Sequence, residues 1–144
     1  MSDKIHLKIT TPERVVLADD VDEVVLPTMM GEIGILPHHI PLVAVLAPGE
    51  IRVKKDKTES LLAVSGGFIE VQPKCVVVLA DTAEHAEEID EQRAEEARKR
   101  AEELQKSKRS DATDFALVAA NLEKELARLR VVRKHRSRKG HLNE

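Results

Sequence analysis

Tryptophan and tyrosine are absent from the 144 residues, phenylalanine occurs twice, and Cys75 is the single cysteine. So few aromatics leave little surface on which bases could stack, which argues against nucleic acid as a partner. A lone cysteine excludes an internal disulfide and is compatible with a reducing interior. Its setting, Lys74-Cys75-Val76-Val77-Val78-Leu79, reads as a small buried hydrophobe, because a nucleophile needs a base and an orienting partner and neither stands nearby. No run approaches the about 18 apolar residues of a membrane-spanning helix, and no charged-then-apolar leader opens the chain. A soluble protein that stays where it is made, with no membrane insertion of its own, is therefore expected.

Proline and glycine are also missing from residues 74–139, although all six prolines and five of six glycines occur at or before Pro73. This absence divides the chain. Charge divides it again: residues 1–84 carry 8 basic and 13 acidic side chains, whereas residues 85–144 carry 15 and 13. A near-neutral total hides an acidic front and a mildly basic back.

The front half is a series of short strand candidates. Lys4–Thr10 alternates Ile5, Leu7 and Ile9 with polar residues, the period-two mark of a half-buried strand. Segments 13–18 and 21–27 follow, parted by the turn-favouring Asp19-Asp20. Between Met30 and Val53, three glycines and three prolines spaced through Ile, Leu and Val forbid a long helix and read as strand, corner, strand. Segments 42–46, 49–55, 58–64, 67–71 and 75–80 complete the set. Many strands at short spacing imply an antiparallel β-sandwich or flattened barrel whose core is Ile, Leu and Val. Ser65-Gly66-Gly67 marks a bend of positive φ or close backbone approach. It is not a phosphate loop, since a strand rather than a helix follows.

Behind Asp81-Thr82, either of which could cap a helix, the composition becomes that of a strong helix former over residues 87–106. Ala94, Ala97, Ala101 and Leu104 share one stripe. Residues 107–111 interrupt the pattern, Asp111 or Thr113 could cap a second helix, and Phe115, Ala119, Leu122, Leu126 and Leu129 form its seam. The result is an α+β chain in two parts: a sandwich over 1–85 and an antiparallel helical hairpin with a basic tail over 86–144. A seam of alanines contributes on the order of 0.8 kcal/mol per buried methyl, so the hairpin needs a further surface and could exchange it for another.

Three chemical readings compete on the residues alone. His38-His39 suggests a cupin-like metal site, but neighbours on an extended strand point to opposite faces. The run from Arg128 to Lys139 holds seven cations and no acid, and could be a frayed tail, a dock for an acidic protein loop, or a nucleic-acid contact. Asp90 and Arg93, three apart on a helix, could offer an acceptor and a cation to a nucleotide or simply form a surface ion pair.

The succession Gly31-Glu32-Ile33-Gly34-Ile35-Leu36-Pro37, His39, Pro41-Leu42, Pro48-Gly49, Ser65-Gly66-Gly67, Glu70-Val71, Val78-Leu79-Ala80-Asp81, Ile89-Asp90-Glu91-Gln92-Arg93-Ala94 and Leu129-Arg130-Val131 resembles the epsilon subunit of F-type ATP synthases of bacterial or plastid type. The resemblance spans nearly the whole chain and implies a non-catalytic, regulatory and coupling subunit. In that family the sandwich binds the gamma subunit and touches the c-subunit ring. The hairpin folds on the sandwich or extends toward the alpha and beta subunits, where it restrains ATP hydrolysis. It further implies subunit contacts at Glu32, His39, Ile40 and Leu42, and an inhibitory basic face of Arg128, Arg130, Arg133 and Lys134. ATP would be a regulatory ligand of Glu84, Ile89, Asp90, Arg93, Ala94, Lys124 and Arg128, Lys124 standing where the motif has an arginine. No other cofactor, no metal and no nucleic acid are implied. Its place would be peripheral, at the cytoplasmic face of a bacterial inner membrane or the stromal face of a plastid thylakoid.

Overall fold

The computed structural model describes residues 3–107 and 112–142. Ten strands precede two helices: β1 (Ile5–Thr10), β2 (Val15–Val21), β3 (Glu23–Thr28), β4 (Gly31–Ile35), β5 (Leu42–Leu46), β6 (Gly49–Lys55), β7 (Thr58–Val64), β8 (Gly67–Gln72), β9 (Cys75–Ala80), β10 (Ala83–His85), α1 (Glu91–Ser107) and α2 (Ala112–Leu142). The strands run in the order β10-β7-β6-β3-β5-β8-β9-β1-β2, with β4 added to β3. A single residue pair, Thr28 with Leu46, joins β3 to β5, and there the sheet folds over on itself. The pairing is antiparallel except between β1 and β9, which run parallel. The sandwich expected from the strand pattern is present, with that one parallel seam.

Alternation fills the interior. Ile5, Leu7 and Ile9 of β1 face Val76 and Val78 of β9, Ile69 and Val71 of β8, and Ile51 and Val53 of β6 in one apolar core. The Gly66-Gly67 bend has φ of +87° and +128°, and a Cβ on Gly67 would lie 1.9 Å from the Leu79 carbonyl oxygen. Only glycine lets β8 leave the bend so close to β9.

Several sequence expectations need correction. Asp19 and Asp20 do not form a turn but continue β2, where Lys55 holds Asp19 and His6 holds Asp20. The break falls at Asp22 instead. Neither Asp81 nor Thr82 caps a helix: Thr82 Oγ1 lies 2.5 Å from Ser65 Oγ, and the chain adds β10 to the edge of β7 before a 3-10 turn at Ala86–Glu88. Asp90 is the cap, its Oδ1 accepting the Arg93 amide at 3.0 Å. Asp111 lies outside the described residues, and Thr113 falls within α2 itself. Cys75 is half-buried rather than buried.

The hairpin also differs in detail from its expected seam. Ala94, Ala101 and Leu129 are buried, but Leu104, Phe115 and Leu126 remain substantially exposed. Ala127 and Val131 are buried on a second stripe, because α2 packs on the sandwich as well as on α1. The basic run continues the helix to Leu142 and is not a frayed tail.

Candidate functional site

β7 is apolar on both faces, and this arranges the rest. Leu62 and Val64 belong to the sandwich core, while Leu61 and Ala63 point outward into a separate cluster with Ala86, Ile89, Ala94, Leu129, Val131 and Val132. The hairpin thus rests on the sandwich through a small core of its own, divided from the main one by the sheet.

Ion pairs frame that small core. On α2, Lys134 Nζ reaches Glu50 Oε1 of β6 at 2.5 Å and Arg138 pairs with Glu59 of β7. Arg128 donates to Glu84 of β10 at 2.6 Å and to the buried Glu125 at 2.7 Å. Burial works against the Arg128 charge, yet hydrogen bonds to Glu125 and Glu84 outweigh it and hold its proton more firmly than usual. Between the helices Arg133 bonds Glu91 and Glu95, and Arg136 bonds Glu91. At the hinge, Arg14 donates to Glu88 at 2.9 Å and, with the His85 amide, pulls the Glu88 carboxyl below its ordinary range. Of the four cations expected on the inhibitory face, Arg128, Arg133 and Lys134 are therefore occupied by carboxylates of the same chain. Arg130 lines the cleft beside Lys134.

The seven residues expected around a nucleotide separate into parts. Glu84 and Arg128 form the ion pair just described, and Ile89 and Ala94 are in the small core. Asp90 caps α1, leaving its other oxygen 3.9 Å from Arg93 Nε, and the Arg93 side chain is 85% exposed. Lys124 is half-buried, one position before Glu125. Five of the seven thus already serve the folded hairpin, and Arg128 would reach a phosphate only by leaving two carboxylates.

The corner residues fall at the sandwich end. Glu32 on β4 lies 3.2 Å from Arg52, and its side chain is 57% exposed. Met30 and Ile40 are among the most exposed apolar side chains, whereas Leu42 packs against the core. His38 is not on a strand as expected: it has φ of 66° in a loop and bonds Asp3, while His39 Nδ1 bonds the carbonyl of Ile40. Among the described residues no three His, Cys, Asp or Glu side chains converge as metal ligands do.

A further surface escaped the sequence reading. Register places Val45 of β5 beside Phe68 of β8, and Phe68 beside Leu79 of β9, all pointing outward. All three are exposed, and Val43 on β5 is 72% exposed. An uninterrupted apolar row across one sheet is an unusual surface to leave open and marks an interaction face. The signal was in the unbroken runs Leu42–Leu46 and Cys75–Ala80, which in an antiparallel sheet mean that both faces are apolar.

A family model described as ATP synthase, delta/epsilon chain, beta-sandwich domain matches residues 4–86, and one described as ATP synthase, delta/epsilon chain, long alpha-helix domain matches residues 87–133. The ATP synthase epsilon chain of Chloroflexus aggregans is 50% identical over 132 residues, covering 92% of this chain and 94% of that one. That of Herpetosiphon aurantiacus is 47% identical over 134 residues, covering 93% and 98%. Among solved structures, a chain of the Euglena gracilis mitochondrial ATP synthase OSCP/F1/c-ring assembly superposes with a TM-score of 0.73 at 27% identity, covering 83% of this chain and 76% of that one. A chain from the central stalk and c-ring of the Tetrahymena thermophila enzyme shares the fold, with a TM-score of 0.60 at 13% identity.

Proposed function

Because the chain belongs to the delta/epsilon chain family of ATP synthases, we propose that it is the central-stalk epsilon subunit of a proton-translocating F-type enzyme, joining the gamma subunit to the c-subunit ring and restraining ATP hydrolysis through its hairpin. In this reading the subunit is non-catalytic and sits peripherally at the cytoplasmic face of a bacterial membrane. The sandwich over 1–85 is the anchor and residues 86–144 are the regulatory part. The row Val45, Phe68, Leu79 is where gamma lies, since aligned apolar side chains on a rigid sheet gain most from a partner that excludes water. Glu32, His39 and Ile40 at the sandwich end meet the ring.

The observation that carries the regulatory reading is the hairpin's separate core. Leu129, Val131 and Val132 can leave Leu61 and Ala63 without opening the sandwich, because the sheet lies between the two clusters. Release from the sandwich also frees Lys134 from Glu50, Arg138 from Glu59 and Arg128 from Glu84 for an acidic surface on the beta subunit, while Arg133 keeps its partners on α1. Each cation exchanges an internal carboxylate for an external one, so little net electrostatic energy separates the two positions. ATP, held by Arg93 of α1 and by Arg128 of α2 once it turns from Glu84 and Glu125, would bridge the two helices and so favour the folded position.

The test is co-purification of the chain with gamma, followed by ATP hydrolysis assays on the assembled enzyme with and without residues 86–144. Binding that survives the truncation together with faster hydrolysis is expected. Loss of gamma binding on truncation, or hydrolysis unchanged with binding intact, would overturn it.

A further inference from the structure

Four charges link the sandwich end to the docked hairpin, and two of them are shared. On the outer face of the sandwich, Arg52 Nη1 lies 3.2 Å from Glu32 Oε2 and 3.2 Å from Glu50 Oε1. The same Glu50 oxygen accepts Lys134 Nζ of α2 at 2.5 Å. One nitrogen therefore divides itself between two carboxylates, and one oxygen between two cations. The register explains the alignment: Glu32 pairs with Pro27 and Arg52 with Val25, both on β3, while Glu50 pairs with Ala63 beneath α2. Exposure is graded along the line, with the Glu32 side chain 57% exposed, Arg52 28%, and Glu50 only 10%. The Glu32 end is open to a partner; the Glu50 end is closed under the helix.

We infer that Glu32, Arg52, Glu50 and Lys134 act as a charge relay by which whatever engages the Glu32 turn alters how firmly the hairpin is held. A cation brought to Glu32 from outside takes that carboxylate from Arg52. The guanidinium then turns wholly to Glu50 and competes there with Lys134, so the anchorage of α2 weakens. Removing Arg52 does the reverse, since Glu50 is left to Lys134 alone and a like charge is gone from its side. The physiological meaning rests on the subunit reading above, in which the Glu32 turn meets the rotor ring. The relay itself belongs to the isolated chain and is tested there.

Amide hydrogen exchange of α2 over residues 127–138 in the full chain measures the docking equilibrium, with the amides of β1 and β9 as the internal measure of an intact sandwich. Glu32→Gln is expected to speed exchange of these α2 amides about twofold to fivefold, the range of a partly exposed ion pair. Arg52→Gln is expected to slow it by a similar factor, and adding Glu32→Gln to Arg52→Gln should change nothing further. Both effects should shrink in about 1 M salt. Opposite signs for the acid and its cation are what a merely structural role would not give. Acceleration by both single variants, no change in either, or an undiminished Glu32→Gln effect without Arg52 would each overturn the relay. Those results would leave gamma binding untouched, whereas failed co-purification would sink the subunit reading and not the relay.

Discussion

Gly67 shows how much a single position can be asked to do. Its φ of +128° is costly for any residue with a Cβ, and that Cβ would collide with the Leu79 carbonyl. Gly67→Ala should therefore lower stability by at least about 1–3 kcal/mol, read as a fall in thermal midpoint. The Ser-Gly-Gly sequence announced a bend, but not which backbone it would approach. Arg93 is the opposite case, a side chain 85% exposed that stabilises little where it stands. If ATP is a ligand, isothermal calorimetry on the isolated chain should show saturable heat at millimolar ATP or below, and Arg93→Ala should weaken it. An absence of heat in that range would remove the nucleotide from the account. Asp90 does two things at once: its spacing suggested a partner for Arg93 or a ligand, and its carboxylate caps α1 through one oxygen while the other lies 3.9 Å from Arg93 Nε.

At the scale of elements, the hinge between β10 and α1 ties the hairpin to the edge of the sandwich. Arg14, from the turn before β2, holds Glu88, and this hydrogen bond is the largest influence lowering the Glu88 carboxyl below its ordinary value of 4.5. A carboxyl lowered on folding contributes stability that is present above its unfolded value and lost as pH falls through the folded one. The thermal midpoint of the native chain should therefore fall relative to Arg14→Ala as pH drops from 7 to about 3, the two curves converging at the acid end. Parallel curves would mean the pair is too exposed to matter. The strands were legible in the sequence because one buried face imposes a period of two. The second stripe of α2, Ala127 and Val131, was not read, since two alternative seams overlap on one helix and only docking decides which is used.

On the scale of the whole molecule, the sandwich offers its two outer faces to different tasks. One is covered by the hairpin through Leu61 and Ala63; the other leaves Val45, Phe68 and Leu79 open. Phe68→Glu places a charge on the open face where nothing in the chain packs tightly, so stability should change by no more than about 0.5 kcal/mol. Recovery of gamma in co-purification should nonetheless drop sharply, because a buried unpaired carboxylate is penalised at an interface. Undiminished recovery would assign gamma to another surface. In the proposed reading both faces are taken, and regulation then comes from exchange of the hairpin's position and not from deformation of the anchor.

What the sequence determined by itself was local and periodic: strands from alternation, helices from the loss of proline and glycine together with alanine stripes, and the bend from paired glycines. Those patterns report which side chains share a face, because the periods of strand and helix are set between near neighbours along the chain. The tertiary structure alone decided the partners. That Lys134 meets Glu50, that Arg128 is held by Glu84, and that β7 carries a second core on its outer face depend on segments tens of residues apart arriving at one place. A run of seven cations looks the same in sequence whether it awaits an acidic partner or already has one, because charge is a property of the residue and pairing is a property of the fold.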